Sequence, residues 1–326
     1  MPRSPRKWIS IEELDRIKDD LAVLIRREAR RLGGLRHLDL RLALDEGFNI
    51  AVEDVTLKGY QRDFSLAYGI RVIAGPFAGR RKASANGFVG GSIGSHDFRN
   101  IPRILRNAIK VAYERAYAAA KRKLATKERF RHLGKSILPE VTLARIPVIQ
   151  DTIKAEYDID PRIVSKEEAE EYILDVAGDV RKRFSQIKNS FIDAFSFLER
   201  QIFFSSEGSV IDQTHAFTGS TVFFIAQSGS NLPVDLYHHV GNQLGWEALT
   251  NGKNVYNKTL GGFAAMIADE AVKLSQARPA PTTDKPVVVV TDPDFNGLLA
   301  HEIIGHPSEL DRAMKWETGY AGRSWF

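Results

Sequence analysis

The residues in this sequence with the clearest chemical potential are His301-Glu302-Ile303-Ile304-Gly305-His306. A catalytic zinc site uses about three protein ligands, an open position for water and a nearby general base. The common helical solution, H-E-x-x-H, sets two imidazoles four residues apart on one face. Here one more residue separates the histidines. Five residues of regular α-helix correspond to roughly 140° of rotation, too far for both rings to face one ion. A π-type turn, with i to i+5 bonds, realigns them. Gly305 loosens the steric constraint before His306, and Pro307 cannot donate an N–H, so the helix is expected to widen or end there. On this reading His301 and His306 are metal ligands, and Glu302 is the general base acting on water. A third ligand is needed, and Glu309 and Asp311 are the nearest in sequence. The chain has no cysteine, which excludes disulfides, thiolate zinc sites and thiol nucleophiles.

Other clusters are weaker. Gly87, Gly90, Gly91 and Gly94 match neither a P-loop nor a dinucleotide fingerprint and read as a flexible loop. His238 and His239 fall in a strand pattern, so they point to opposite faces, in packing or solvent roles. Ser205, Ser206 and Glu207 with His215 lack a nucleophile elbow, and Glu207-Gly208 reads as a turn.

The motif needs a helix to carry it. Residues 287–291 read as a short buried strand, and Asp292 as the cap of a helix with Pro293 in its first turn. Upstream, residues 11–31 repeat apolar positions at helical spacing, with Ser10 and Glu13 as a capping box. Residues 38–44 alternate as a strand. Glu46-Gly47 reads as a turn, followed by a second strand over 49–57 and a third over 69–74. A long helix is expected over 101–124. Residues 133–160 are irregular, with Pro139 and Pro147. Helix 166–183 follows, capped by Ser165, then an antiparallel meander with strands over 191–205, 210–217 and 221–227 and a turn at Thr218-Gly219. A last helix spans 261–276. The fold class is therefore α+β: an N-terminal α/β layer domain over 1–135, a linker over 136–160, and an antiparallel-sheet region with the motif-bearing helix over 161–326.

Composition fits a globular protein, with 43% apolar and 27% charged residues among 326. No apolar run approaches the roughly 20 residues that span a bilayer, and residues 1–10 lack the apolar stretch of a signal peptide. A cytoplasmic protein with no membrane partner is expected. The net charge of +5 concentrates in Arg26, Arg27, Arg30, Arg31 and Arg36 and in residues 121–131. These read as solvated helix faces, with no nucleic-acid module and no nucleic-acid partner expected.

The segment 287–306, with Glu309 and Asp311 after it, resembles the TldD/PmbA family, also called modulator of DNA gyrase. Phe204-Ser205-Ser206-Glu207-Gly208 is similar to that family's middle-region Ser-Glu-Gly element. Gly69-Ile70-Arg71-Val72 is similar to its N-terminal Gly-x-Arg-Val strand. The likeness thus runs from the first strand group to the chain end in the same order.

The resemblance implies a zinc peptidase of the TldD type, acting on unfolded or extended peptides inside a dimer cavity. The partner would be a second copy or a PmbA/TldE-like subunit. By it, His301 and His306 carry over as zinc ligands and Glu302 as the base. In TldD-type members a cysteine far downstream supplies the third ligand and a C-terminal sheet domain follows the motif. This chain holds no cysteine and ends at Phe326, so that domain is expected to be lacking. The alternative is a non-catalytic peptide-binding or assembly subunit with an incomplete metal site.

Overall fold

A computed structural model describes residues 10–78, 81–131, 147–280, 282–313 and 324. The chain divides into two compact units, Met1–Ala277 and Arg278–Phe326.

The first unit is built on one sheet. A 3-10 turn, Ile11–Leu14, leads into α1 (Asp15–Arg31), and Glu13 accepts a hydrogen bond from the Ser10 N–H at 2.8 Å, as a capping box requires. Strands β1 (Leu35–Glu53) and β2 (Thr56–Ala74) form a long hairpin. A small hairpin, β3 (Phe77–Ala78) with β4 (Arg81–Lys82), precedes β5 (Ala85–Ser92) and α2 (Ile101–Arg129). Then come β6 (Gln150–Ile153), α3 (Lys166–Arg183), β7 (Ile187–Ser205), β8 (Val210–Ala226) and β9 (Val234–Asn242). The short helix α4 (Glu247–Thr250) and α5 (Leu260–Gln276) complete the unit. The seven-stranded sheet runs β5-β2-β1-β7-β8-β6, with β9 also paired to β8. Every pairing is antiparallel except β6 with β8. The α+β class stands.

Alternation along β1 explains the layering. Its even-numbered residues from Leu38 to Leu44 and from Phe48 to Val52 are buried in two successive cores. Leu38, Leu40, Leu42 and Leu44 pack with α1 and α2, whereas Phe48, Ile50 and Val52 pack with α3 and α5. The helices therefore share one face, and the odd-numbered residues point the other way. Strands from both sides of the expected linker join this sheet through the β1–β7 pairing. Residues 132–146 of the irregular segment, including Pro139, lie outside the described residues.

Three glycine readings are corrected. Gly47 is not a turn but lies inside β1, where a Cβ would stand 2.2 Å from Cβ of Phe197. The turn comes at Asp54, which takes φ 53°, and Val55. Gly219 is likewise inside β8, where a Cβ would meet Cζ of Phe195 at 2.8 Å. Of the glycine-rich run expected as a loop, Gly87, Gly90 and Gly91 belong to β5, and a Cβ on Gly87 would lie 2.0 Å from the Ala112 carbonyl of α2. Each marks a close approach of distant segments, which local sequence does not reveal. The turn at Gly208 (φ 111°) and the exposure of Arg26, Arg27, Arg30, Arg31 and Arg36 agree with expectation.

In the second unit, residues 287–291 do not form the expected buried strand. Val288 and Val290 are 94% and 92% exposed, and no strand pairs with them among the described residues. β-branched composition alone does not make a strand without a partner. Helix α6 (Pro293–Ala300) follows, then a π-turn His301–Gly305, α7 (His306–Ser308) and α8 (Leu310–Ala313).

Candidate metal centre

Asp292 caps α6 by accepting from the Phe295 N–H at 2.8 Å, and Pro293 occupies the first turn. The helix then widens as the five-residue spacing requires. His306 N–H donates to the His301 carbonyl, an i to i+5 bond. Pro307 accounts for the wide turn: its N–H is missing and its ring would crowd the Ile303 carbonyl in a regular helix. Gly305 has ordinary helical dihedrals and an added Cβ would meet nothing nearer than 3.9 Å, so its expected steric role is not needed.

The wide turn brings the imidazoles together. Nε2 of His301 and Nε2 of His306 are 3.0 Å apart, with ring planes at 81°. The Glu302 carboxylate stands 4.0 Å from the first nitrogen and 3.9 Å from the second. Behind them, Glu309 Oε1 lies 2.9 Å from Nδ1 of His306, and its other oxygen accepts from Nε of Arg312 at 2.8 Å. Arg312 and then His306 hold the Glu309 carboxyl below the usual carboxylate range. A carboxylate can only accept, so His306 carries its proton on Nδ1 and offers a lone pair at Nε2.

The donor set suits zinc. Zn–N bonds of 2.0–2.1 Å in a tetrahedral site keep two nitrogens about 3.3 Å apart, close to the observed separation. An imidazole held through its far nitrogen by a carboxylate is the usual support of a metal ligand. Among the described residues, His301, Glu302 and His306 are the group whose ligand atoms gather within metal-holding distance. Glu309 supports His306 from behind and Asp311 accepts from the Arg312 N–H, so neither is directed to the paired nitrogens.

His238 and His239 separate as expected. The His238 ring packs against Phe263 and Tyr256, while His239 contacts Thr221 and Tyr237. Glu207 does not meet His215. It bonds Nδ1 of His37 at 3.0 Å, and the Nε2 of His37 meets Asp39 at 2.7 Å. Asp39 also takes Arg71 Nε at 2.8 Å. Sequence reasoning missed this cluster, whose members lie up to 170 positions apart. It also missed the His306–Glu309–Arg312 relay, although its i, i+3 spacing was a usable helical signal.

No family model matches the sequence. A sequence relative is Metalloprotease MJ0996 of Methanocaldococcus jannaschii, 24% identical over 280 residues, which cover 86% of this chain and 53% of that protein. The chain thus spans about half the length of this curated relative. A crystal structure from Bacteroides thetaiotaomicron, of a candidate modulator of DNA gyrase, superposes with a TM-score of 0.57 at 11% identity, over 95% of this chain and 60% of that one. The chain has the fold of that structure. TldE from Thermococcus kodakarensis matches with a TM-score of 0.44 at 13% identity, over 79% of this chain and 47% of its own. No helix among the described residues is long and apolar enough to cross a membrane.

Proposed function

We propose that this chain is the metal-bearing part of a zinc metallopeptidase that cleaves unfolded or extended peptides in the cytoplasm. The observation that carries this reading is the π-turn, which turns an awkward histidine spacing into two convergent nitrogens with a carboxylate beside them. His301 and His306 would hold the ion. When bound, zinc supplies Lewis acidity and makes water a nucleophile at neutral pH. Glu302 would take a proton from water and return it to the leaving amine. Glu309 and Arg312 keep the His306 ring in its tautomer and orientation. The cluster is open to a polypeptide: the side chains of His301 and Glu302 are 60% and 53% exposed. The further ligand would come from outside the described residues, and pairing with a second copy or a PmbA/TldE-like subunit fits this reading.

A second reading, a non-catalytic peptide-binding subunit, draws on one observation: the described residues bring only two imidazoles to the site. Metal analysis and cleavage of an unfolded protein substrate separate the two. Stoichiometric zinc with chelator-sensitive cleavage is expected, with Glu302→Gln keeping the metal and losing cleavage and His301→Ala losing both. Zinc-free protein that binds peptide without cutting it would favour the second reading, and full cleavage by His301→Ala would overturn the first.

A further inference from the structure

The face of the sheet opposite the helices holds a cavity of about 500 Å³, adjoining a second of about 220 Å³. Its floor is set by small residues in register across two strands. Gly69 lies opposite Arg41, and Ala67 opposite Ala43. The phenyl ring of Phe88 lies over Gly69, 3.5 Å from where a Cβ would be, an ordinary van der Waals contact. Phe88 is 57% exposed and so open to a ligand. Phe203, the β7 neighbour of Arg41, makes the opposite wall and is shared with the smaller cavity.

The polar groups here are unequal. Arg71 is neutralised by Asp39, with Nη2 to Oδ2 at 2.6 Å. Arg41 lines both cavities, is exposed, and makes no hydrogen bond or ion pair among the described residues. A guanidinium between two aromatic walls presents a fork of donors that matches a carboxylate in shape and charge. Four residues along β1 from Arg41, the neighbouring carboxyls of Asp45 and Glu199 would repel a carboxylate, which confines it to the Arg41 end.

We propose that this cavity binds an apolar carboxylate the size of one or two residues, the free C-terminus of a peptide ending in a large apolar side chain. The volume suits such a ligand. Arg41 takes the carboxylate, and Phe88 and Phe203 flank the side chain. The site does not rest on the metal centre.

Calorimetric titration of the whole protein with acetyl-Gly-Gly-Phe and with its C-terminal amide tests this. The acid is expected to bind at least ten-fold more tightly than the amide. Arg41→Gln should abolish that preference, and Phe88→Ala should weaken both ligands while keeping it. His301→Ala should leave acid binding unchanged, so failure here and failure of the metal reading remain distinguishable. Equal binding of acid and amide, no binding of either, a preference that survives Arg41→Gln, or displacement of the peptide by equimolar inorganic phosphate would overturn the proposal.

Discussion

His37 and His306 each bond a carboxylate through Nδ1, at 3.0 and 2.9 Å, yet they do different work. What separates them is the other ring nitrogen. In the sheet unit, the Nε2 of His37 is used by Asp39, which also takes Arg71, so the ring is closed on both sides by acids. Such a ring favours its protonated, cationic form. In the second unit, the Nε2 of His306 faces another imidazole. The Nδ1 of His306 is held by Glu309, so Nε2 is the nitrogen turned toward the site. One carboxylate on an imidazole tunes a ligand, whereas two make an ion pair. The backbone differs correspondingly: His37 sits on a strand of a backed sheet, and His306 at the end of a π-turn in a short exposed helix.

The largest effect should come from removing the single carboxylate behind His306. Glu309→Gln keeps size and shape but weakens the hold on Nδ1–H and on Arg312. Zinc affinity should fall about 10- to 100-fold, the usual consequence of losing such a support. Chelator competition reads this directly. An unchanged affinity would mean that Glu309 does not orient the ring, and the contrast with His37 would lose its basis.

The legibility of the two regions differs for the same physical reason. The motif was readable because its determinants are local: the i to i+5 spacing, Pro307, and the cap at Asp292 all lie within a few residues. Ser165 was readable as the cap of α3 on the same terms, and its hydroxyl accepts from the Glu168 N–H. Gly47, Gly87 and Gly219 were misread because their reason for being glycine lies in another strand or helix. The continuity of β1 and β8 was lost with them. The pairing of His37 with Glu207 depends on β1 and β7 lying side by side, which no local pattern states. The valines at 287–290 show the reverse error, a strong local preference without a partner.

A cluster with no imidazole sharpens the contrast further. Asp45 lies beside Glu199 across β1 and β7, and burial, followed by the charge of Glu199, pushes its carboxyl up to about 7. The folded chain therefore binds more protons than the unfolded chain between the ordinary 3.8 and about 7. Stability should fall as pH rises through that window. Asp45→Asn should flatten this dependence and leave the protein about 1–2 kcal/mol more stable at pH 8, after discounting for solvent screening. Urea unfolding at pH 5 and pH 8 checks it. Parallel pH dependence in both proteins would show that Asp45 is not the group responsible.

His37 should show the smallest effect, with the same direction of pH dependence arising from a favourable pair. Burial alone would lower its pKa, but the carboxylates of Asp39 and Glu207 outweigh that and raise it. The stabilisation is full below the ordinary value of 6.5 and is lost as pH rises through the raised value. His37→Gln should therefore cost about 1 kcal/mol at pH 6 and less as pH rises through the raised value. Zinc binding should be untouched, because this ring offers no free nitrogen. If His37→Gln lowered zinc affinity while leaving unfolding unchanged, the division between an ion-paired histidine and a ligand histidine would collapse.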